Sequence, residues 1–239
     1  NEDRYLLVTA AFTLTHVEAW LRDHRSPGEH VVVTDATDAY AMLNLQGPNA
    51  RALLAAVTDA DVSHAAFPYL QARTIDIGYQ QALAARVSYV GELGWELYIP
   101  TSFATGVYDQ IVEAGAKLGL RHCGYHALNS LRLEKAFREW GHDIGSVDTP
   151  VEAGLSFTCA WNKPGGFIGR AALIEAVPNR APTRRLVQLV LTEPTEIAHH
   201  GEPIWRDDVR VGFSTSGAFG HTLGASVALG YVTHPDGVT

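Results

Sequence analysis

No apolar run approaches the ~20 residues that a membrane-spanning helix needs. Basic charge is also short, with 18 Lys and Arg against 26 Asp and Glu and a net charge of −8. Nucleic-acid binding by general electrostatics is thereby excluded, because phosphate contacts need a basic surface. A local basic pocket for an anionic ligand is not. Cysteine is scarce: Cys123 and Cys159 stand far apart without C-x-x-C spacing and read as reduced thiols of a reducing compartment. The start lacks an initiator Met, a basic n-region and a signal h-region. Asn1-Glu2-Asp3-Arg4 runs straight into Tyr5-Leu6-Leu7-Val8, as in the middle of a domain, and His234-Pro235-Asp236-Gly237-Val238-Thr239 looks cut. No G-x-G-x-x-G is present, so the chain carries no sign of a flavin domain of its own. No G-x-S-x-G elbow supports a serine hydrolase. The eleven histidines include only two close pairs, His122 with His126 and His199 with His200, none in H-E-x-x-H or zinc spacing. No metal site is expected.

What is present is an ordinary globular composition, 46% apolar and 18% charged, which argues against disorder. The 239 residues suffice for one large domain or two smaller ones. Tyr5 to Ala11 and Val31 to Val33 suit buried strands. Thr15 is placed to cap a helix carrying Val17, Trp20 and Leu21. Ala41 to Leu45 reads as a strand ending at Gly47-Pro48, and Asn49 opens a helix through Leu53, Leu54 and Val57. Strands follow at Thr74 to Ile77, Leu83 to Tyr89 and Trp95 to Ile99. In the last, Trp95, Leu97 and Ile99 share one face and Glu96 and Tyr98 the other. Helices are expected from Ser102 to about Lys117 and from about Ala127 to Phe137. Thr149-Pro150-Val151-Glu152 matches a capping box. Beyond a Pro-rich break at Pro178 to Pro182, strands at Leu186 to Leu191, Arg210 to Ser214 and Ser226 to Val232 read as a small antiparallel β-domain, with Gly217-Ala218-Phe219-Gly220 as a hairpin turn. The fold class is therefore α+β.

The most informative stretch is Tyr89-Val90-Gly91-Glu92-Leu93-Gly94-Trp95-Glu96. Its glycines allow a tight turn and a close backbone approach by a ligand. Taken alone, it also suits a β-hairpin with an exposed Glu and a packing aromatic. Further pieces follow in order: Gly124 to Lys135, Trp140-Gly141-His142-Asp143-Ile144, Thr149 to Leu155, Phe167-Ile168-Gly169-Arg170, Thr215-Ser216-Gly217 and Ala228 to Val232. Together they span almost the whole chain. They resemble the glycine-cleavage T-protein family of aminomethyltransferases, with its Y-x-G-E-x-G-x-E, S-L-R-L-E, aromatic-G-x-D-I and T-P-x-E-A-G-L motifs. Two details resemble the dimethylglycine and sarcosine dehydrogenase branch. One is Glu134-Lys135 followed by Arg138, Trp140 and Gly141. The other is Leu45 to Arg51 followed by Ala66-Phe67-Pro68-Tyr69.

The resemblance implies an aminomethyltransferase-like folate-binding α+β domain over 1–178 and a small antiparallel β-barrel domain over 179–239. It implies tetrahydrofolate as cofactor, with Tyr89 and Glu96 lining the pterin. A pterin presents a 2-amino group beside a ring N–H, and one carboxylate can accept both. Trp140 is a further candidate contact, and Arg132 a candidate for the folate tail. The implied activity is one-carbon transfer from an oxidised N-methyl amine, giving 5,10-methylenetetrahydrofolate. FAD is expected only in an upstream flavin oxidase domain of the same polypeptide. The implied location is the bacterial cytoplasm or the mitochondrial matrix. Departures are specific. Leu128 stands where T-proteins have an Arg that meets the anionic end of folate, and Thr9 stands where they have an Asn. The family's catalytic Asp belongs to a segment expected before Asn1, so no catalytic residue is assigned and the chain alone is expected to turn over poorly. A free-standing aminomethyltransferase or a sulfonium demethylase of the same family is an alternative. A non-catalytic folate-binding protein is another. The K-G-C-Y-x-G-Q-E motif of the family's iron–sulfur assembly factors is absent, since Cys123-Gly124-Tyr125 continues into His126-Ala127.

The cysteine reading is directly testable. Native protein exposed to air should take up an alkylating agent at both Cys123 and Cys159, as read by mass spectrometry. Thiols that resist alkylation until a reductant is added would contradict it.

Overall fold

The computed structural model describes residues 3–177 and 182–237. It divides into two compact units, one of Asn1–Val87 with Leu93–Leu120, the other of Ser88–Glu92 with Arg121–Thr239. The domain boundary expected at 178/179 lies outside the described residues.

The first unit is built on an antiparallel sheet of β1 (Tyr40–Gln46), β2 (Ala72–Ile77), β3 (Gln80–Ala85) and β4 (Gly94–Pro100), in the order β1-β4-β3-β2. Its helices are α1 (Leu14–Asp23), α2 (Ala50–Val57) and α3 (Ala104–Gly115). Alternation along β4 decides which way the sheet faces. Trp95, Leu97 and Ile99 are fully buried with Leu53, Leu54, Phe67, Ile75, Ile77 and Val107. Trp95 is the hub of that core. Phe67 meets its ring edge-on at 5.9 Å, and the guanidinium of Arg51 lies 5.3 Å from the ring centre. Glu96 and Tyr98 stand on the opposite face, as the period of two requires. β2 and β3 are joined by Gly78-Tyr79 alone, with Gly78 at φ +59°, the backbone a two-residue hairpin demands. β3 ends at Ala85, short of the expected Tyr89.

The expected strands at Tyr5 to Ala11 and Val31 to Val33 do not form. Both segments lack strand pairing among the described residues, and Leu7, Val8 and Val32 are exposed. An apolar run becomes a strand only where a neighbour takes up its ladder bonds and a core covers its side chains. The helix expected after Thr15 starts one residue before it, with Thr13 at the N-cap position.

In the second unit, α4 (Tyr125–Glu134) and α5 (Arg170–Ala176) accompany β5 (Arg184–Val190), β6 (Pro203–Arg206), β7 (Val209–Gly220) and β8 (Ala225–Thr233). These strands form an antiparallel sheet in the order β5-β8-β7-β6. Leu133 of α4 packs with Leu186, Leu229 and Tyr231 from the sheet. Thr149 and Glu152 close the expected capping box, Thr149 N–H and Oγ1 donating to Glu152 Oε2 at 3.0 and 2.7 Å while Glu152 N–H donates to Thr149 Oγ1 at 3.2 Å. β6 went unread because it is short, begins with Pro203 and lies at the sheet edge, where a missing N–H is tolerated. Gly217 to Gly220 are not the hairpin turn. They continue β7, which runs on to Gly220.

Gly217 is there for close approach. A Cβ on it would lie 1.9 Å from the backbone oxygen of Ala198, which has no side-chain freedom to withdraw. Gly217→Ala should therefore destabilise the protein by roughly 1–3 kcal/mol, seen as a lower urea midpoint. An unchanged midpoint would show that the two segments are looser than described.

Candidate functional site

The sequence-derived site residues fall in both units, Glu96 in the first and Tyr89, Arg132 and Trp140 in the second. Each is described with its own unit.

Glu96 sits mid-strand on β4, opposite Asn44 of β1 and Ala85 of β3, on the face turned away from the Trp95 core. It is half-buried. Tyr98, two residues on and therefore on the same face, donates its hydroxyl to Glu96 Oε2 in a short hydrogen bond. Burial, then that bond, push the Tyr98 phenol above its ordinary range, so it stays a donor. The bond holds the carboxylate in one orientation. Among the described residues Oε1 has no partner, which leaves an acceptor that could meet an incoming donor pair. Asn44 and Gln46 stand along the same face of β1, joined by a Gln46 Nε2–H to Asn44 Oδ1 bond of 2.7 Å. Sequence reading missed Tyr98 as a supporting group, although its alternation with Glu96 was the available signal.

Tyr89 lies in a turn in which Glu92 N–H donates to Ser88 Oγ at 3.0 Å and Gly91 adopts φ +73°. Its hydroxyl donates to the carbonyl of Arg138 at 3.1 Å. Its ring stacks on Phe137 with 6.3 Å between centroids and 17° between planes. The hydroxyl oxygen keeps lone-pair capacity for another donor.

Phe137 and Arg138 are placed by the way α4 ends. Ala136 adopts φ +54°, Ala136 N–H donates to Leu133 O at 2.9 Å and Phe137 N–H to Arg132 O at 2.9 Å. This is the Schellman arrangement, closed by an alanine where glycine is usual, at a cost of about 1–2 kcal/mol. Arg138 is then held by Nε–H to Ala153 O at 2.9 Å.

Arg132 is the most committed residue of the site. Its side chain is 1% exposed, and every N–H of its guanidinium has an internal acceptor. Nε donates to Asn129 Oδ1 at 2.9 Å, Nη1 to Phe137 O at 3.0 Å and, in a short contact, to Asp143 Oδ2. Nη2 donates to Glu139 Oε2 at 3.1 Å and Ser216 Oγ at 2.9 Å. A ligand carboxylate could reach Arg132 only by displacing one of these. Asp143 is equally filled. Oδ2 also accepts Glu139 N–H at 2.9 Å, and Oδ1 accepts the hydroxyls of Thr215 and Ser216, each at 2.6 Å. Asp143 thus closes the 139–143 turn and ties it to β7. No spacing in the sequence joins Asp143 to Thr215-Ser216, 72 and 73 residues away. Trp140 is 43% exposed and forms a bridge with Ile144 across the same turn. In the second unit Tyr89 thus meets Phe137 and Arg138, within the stretch 132–144 that also carries Arg132 and Trp140. Both cysteines are free. Among the described residues no group of His, Cys, Asp and Glu has the arrangement of a metal site. Among the described residues no helix is long and apolar enough to cross a membrane.

Comparison with known proteins agrees with this architecture. Residues 1–163 match the GCVT N-terminal domain, and residues 184–237 match the glycine cleavage T-protein C-terminal barrel domain. The chain is 44% identical over 95% of its length to 4-methylaminobutanoate oxidase (formaldehyde-forming) of Paenarthrobacter nicotinovorans, covering 27% of that protein. It is 36% identical over 95% of its length to mitochondrial dimethylglycine dehydrogenase of Homo sapiens, covering 26% of it. The chain thus spans about a quarter of the length of these curated relatives. The crystal structure of glycine cleavage system aminomethyltransferase T from Bartonella henselae superimposes with a TM-score of 0.78 at 27% identity, over 93% of this chain and 59% of that one.

Tyr89 supplies a titration test. Burial first pushes its phenol up from 10.0 to about 12, outweighing the opposing Arg132 charge. A phenol pKa higher in the folded than in the unfolded state favours the folded state fully below pH 10, and that contribution fades as pH climbs toward 12. Urea stability should therefore fall over this window, and Tyr89→Phe should flatten the fall. Identical pH slopes in the two proteins would show that Tyr89 is not shielded.

Proposed function

Because the chain belongs to the glycine-cleavage T-protein (aminomethyltransferase) family, we propose that it binds tetrahydrofolate and serves one-carbon transfer. In this reading it traps the methyl-derived unit of an oxidised N-methyl amine, such as dimethylglycine or sarcosine, as 5,10-methylenetetrahydrofolate. The observation that carries the proposal is the Glu96 carboxylate, oriented by Tyr98 and carrying an open oxygen on the sheet face away from the core. Such a carboxylate fits the paired donors of a pterin. Tyr89 and Trp140 are proposed as further folate contacts. Arg132 is retained in the proposed site through Phe137, which it holds and on which the Tyr89 ring stacks.

Bound folate would supply the nucleophilic amine. The chain's own residues would bind and orient it and keep water away from the reacting centre. FAD is proposed to lie in an upstream domain. Among the described residues both sheets are antiparallel throughout, so no parallel βαβ unit offers a helix N-terminus to a pyrophosphate. The iminium is therefore proposed to come from a flavin oxidase domain of the same polypeptide, in the bacterial cytoplasm or the mitochondrial matrix, and the boundary at 178/179 to separate the folate-binding and barrel domains. Delivery within one polypeptide raises effective concentration, so the chain by itself is proposed to bind folate yet turn over poorly. A second reading has its own support. One relative is named for forming formaldehyde, and an iminium that meets water instead of folate releases its carbon in that form.

Titration calorimetry with tetrahydrofolate tests the folate reading. Glu96→Gln replaces an acceptor atom by a donor, so one pterin donor loses its partner. Binding should weaken by ~1.5–3 kcal/mol, the range for a hydrogen bond to a charged group. Equal affinities for the two proteins would reject the role of Glu96.

A further inference from the structure

Asp143 lies outside the proposed folate contacts, yet every one of its bonds leads toward Tyr89 or anchors that path. We propose that Asp143 is a positioning residue that sets the Tyr89 ring and hydroxyl through Arg132 and the Phe137–Arg138 backbone. The inference deepens the folate reading and rests on it for its effect on binding, but its geometry is independent of any ligand.

The path is short and rigid at each step. Arg132 Nη1 is shared between Asp143 Oδ2 and the Phe137 carbonyl, so the carboxylate fixes where that carbonyl sits. Phe137 N–H is held from the other side by Arg132 O at 2.9 Å. Phe137 is thus clamped at both its N–H and its C=O by one residue, and its ring carries the Tyr89 ring. The next carbonyl, that of Arg138, accepts the Tyr89 hydroxyl. Asp143 is in turn fixed by β7, through Thr215 Oγ1 and Ser216 Oγ. β7 shifts register between Ser214 and Ser216, a β-bulge that leaves Thr215 unpaired in the ladder. The extra residue lets two successive side chains, Thr215 and Ser216, reach the same carboxylate oxygen, whereas strict alternation would turn one away. The barrel-side sheet is thereby mechanically linked to a proposed folate contact.

The chemistry makes Asp143 hard to replace. All its partners are donors: an Arg132 N–H, the Glu139 N–H and two hydroxyls. Asparagine has the same shape, but whichever way it turns, its NH₂ faces a donor. Asp143→Asn should therefore shift the 137–138 backbone while leaving the β5-β8-β7-β6 sheet in place.

The experiment is a double-mutant cycle on reduced-folate affinity with the full chain, using wild type, Asp143→Asn, Tyr89→Phe and the double variant. Asp143→Asn alone should weaken tetrahydrofolate binding about tenfold, one hydrogen bond's worth. If Asp143 acts through Tyr89, the double variant binds no more than about twofold more weakly than the poorer single variant. Multiplying losses would mean that Asp143 acts by general stability and would overturn the proposal. In parallel, protein labelled with 3-fluorotyrosine gives a fluorine resonance for Tyr89, assigned by its loss in Tyr89→Phe. That resonance should move in ligand-free Asp143→Asn, and a resonance that stays put overturns the proposal whether or not folate binds. Wild type that fails to bind tetrahydrofolate while the resonance moves strikes only the folate reading. Should Asp143→Asn not fold, Thr215→Val removes one donor to Asp143 at constant shape, and Thr215→Ser restores the hydroxyl. The Tyr89 resonance should move in the first and return in the second; a resonance indifferent to both overturns the proposal.

Discussion

A buried guanidinium constrains the second unit more than any other single group. Arg132 cannot be left without acceptors, because an unpaired charge away from water costs several kcal/mol. Five acceptors are therefore brought to it from α4, the turn that follows and β7. Removing Asp143 would cost about 3–5 kcal/mol, the usual consequence of breaking a buried pair from one side. The pair's contribution is mainly to specificity of arrangement. An apolar core of similar volume could be as stable, but it would not dictate where the Phe137 carbonyl and the Arg138 carbonyl point. The alanine in the left-handed position at the end of α4 shows the same priority, since the chain accepts local strain to turn at that residue.

The first unit solves a different problem. Its sheet must bury one face completely and present a charged residue on the other. β4 does this by strict alternation, with Trp95, Leu97 and Ile99 against the helices and Glu96 and Tyr98 outward. Glu96 is consequently held by a rigid strand, paired on both sides, rather than by a mobile loop. The Tyr98 hydroxyl removes the remaining rotational freedom of the carboxylate. A recognition group prepared in this way loses little entropy on binding.

Legibility in the sequence followed the range of the interactions. The patterns that announce β1, β4, α2 and the capping box at Thr149 to Glu152 lie within a few residues, and all were readable. β4 was readable to the face. The extended runs at Tyr5 and Val31 misled because apolar composition signals burial but says nothing of whether a partner strand is present. β6 was too short and proline-led to register. At the site, Tyr89, Glu96, Arg132 and Trp140 came from motif resemblance, which names residues without giving their partners. Thus Arg132 could be proposed to meet a ligand directly, whereas its donors turn inward. The Asp143 contacts to Thr215 and Ser216 were invisible, because nothing local couples residues so far apart in the chain. A β-bulge at Thr215 leaves no compositional trace either.

The central claim is that this chain offers a reduced folate a fixed carboxylate at Glu96. A crystal structure of the chain with bound 5-formyltetrahydrofolate, a stable stand-in for the reduced cofactor, tests it most directly. The account predicts electron density for the pterin with its amino group and ring N–H on the Glu96 carboxylate, and Tyr98 still donating to Oε2. A pterin bound elsewhere, or a Glu96 carboxylate unengaged at saturating ligand, would contradict it.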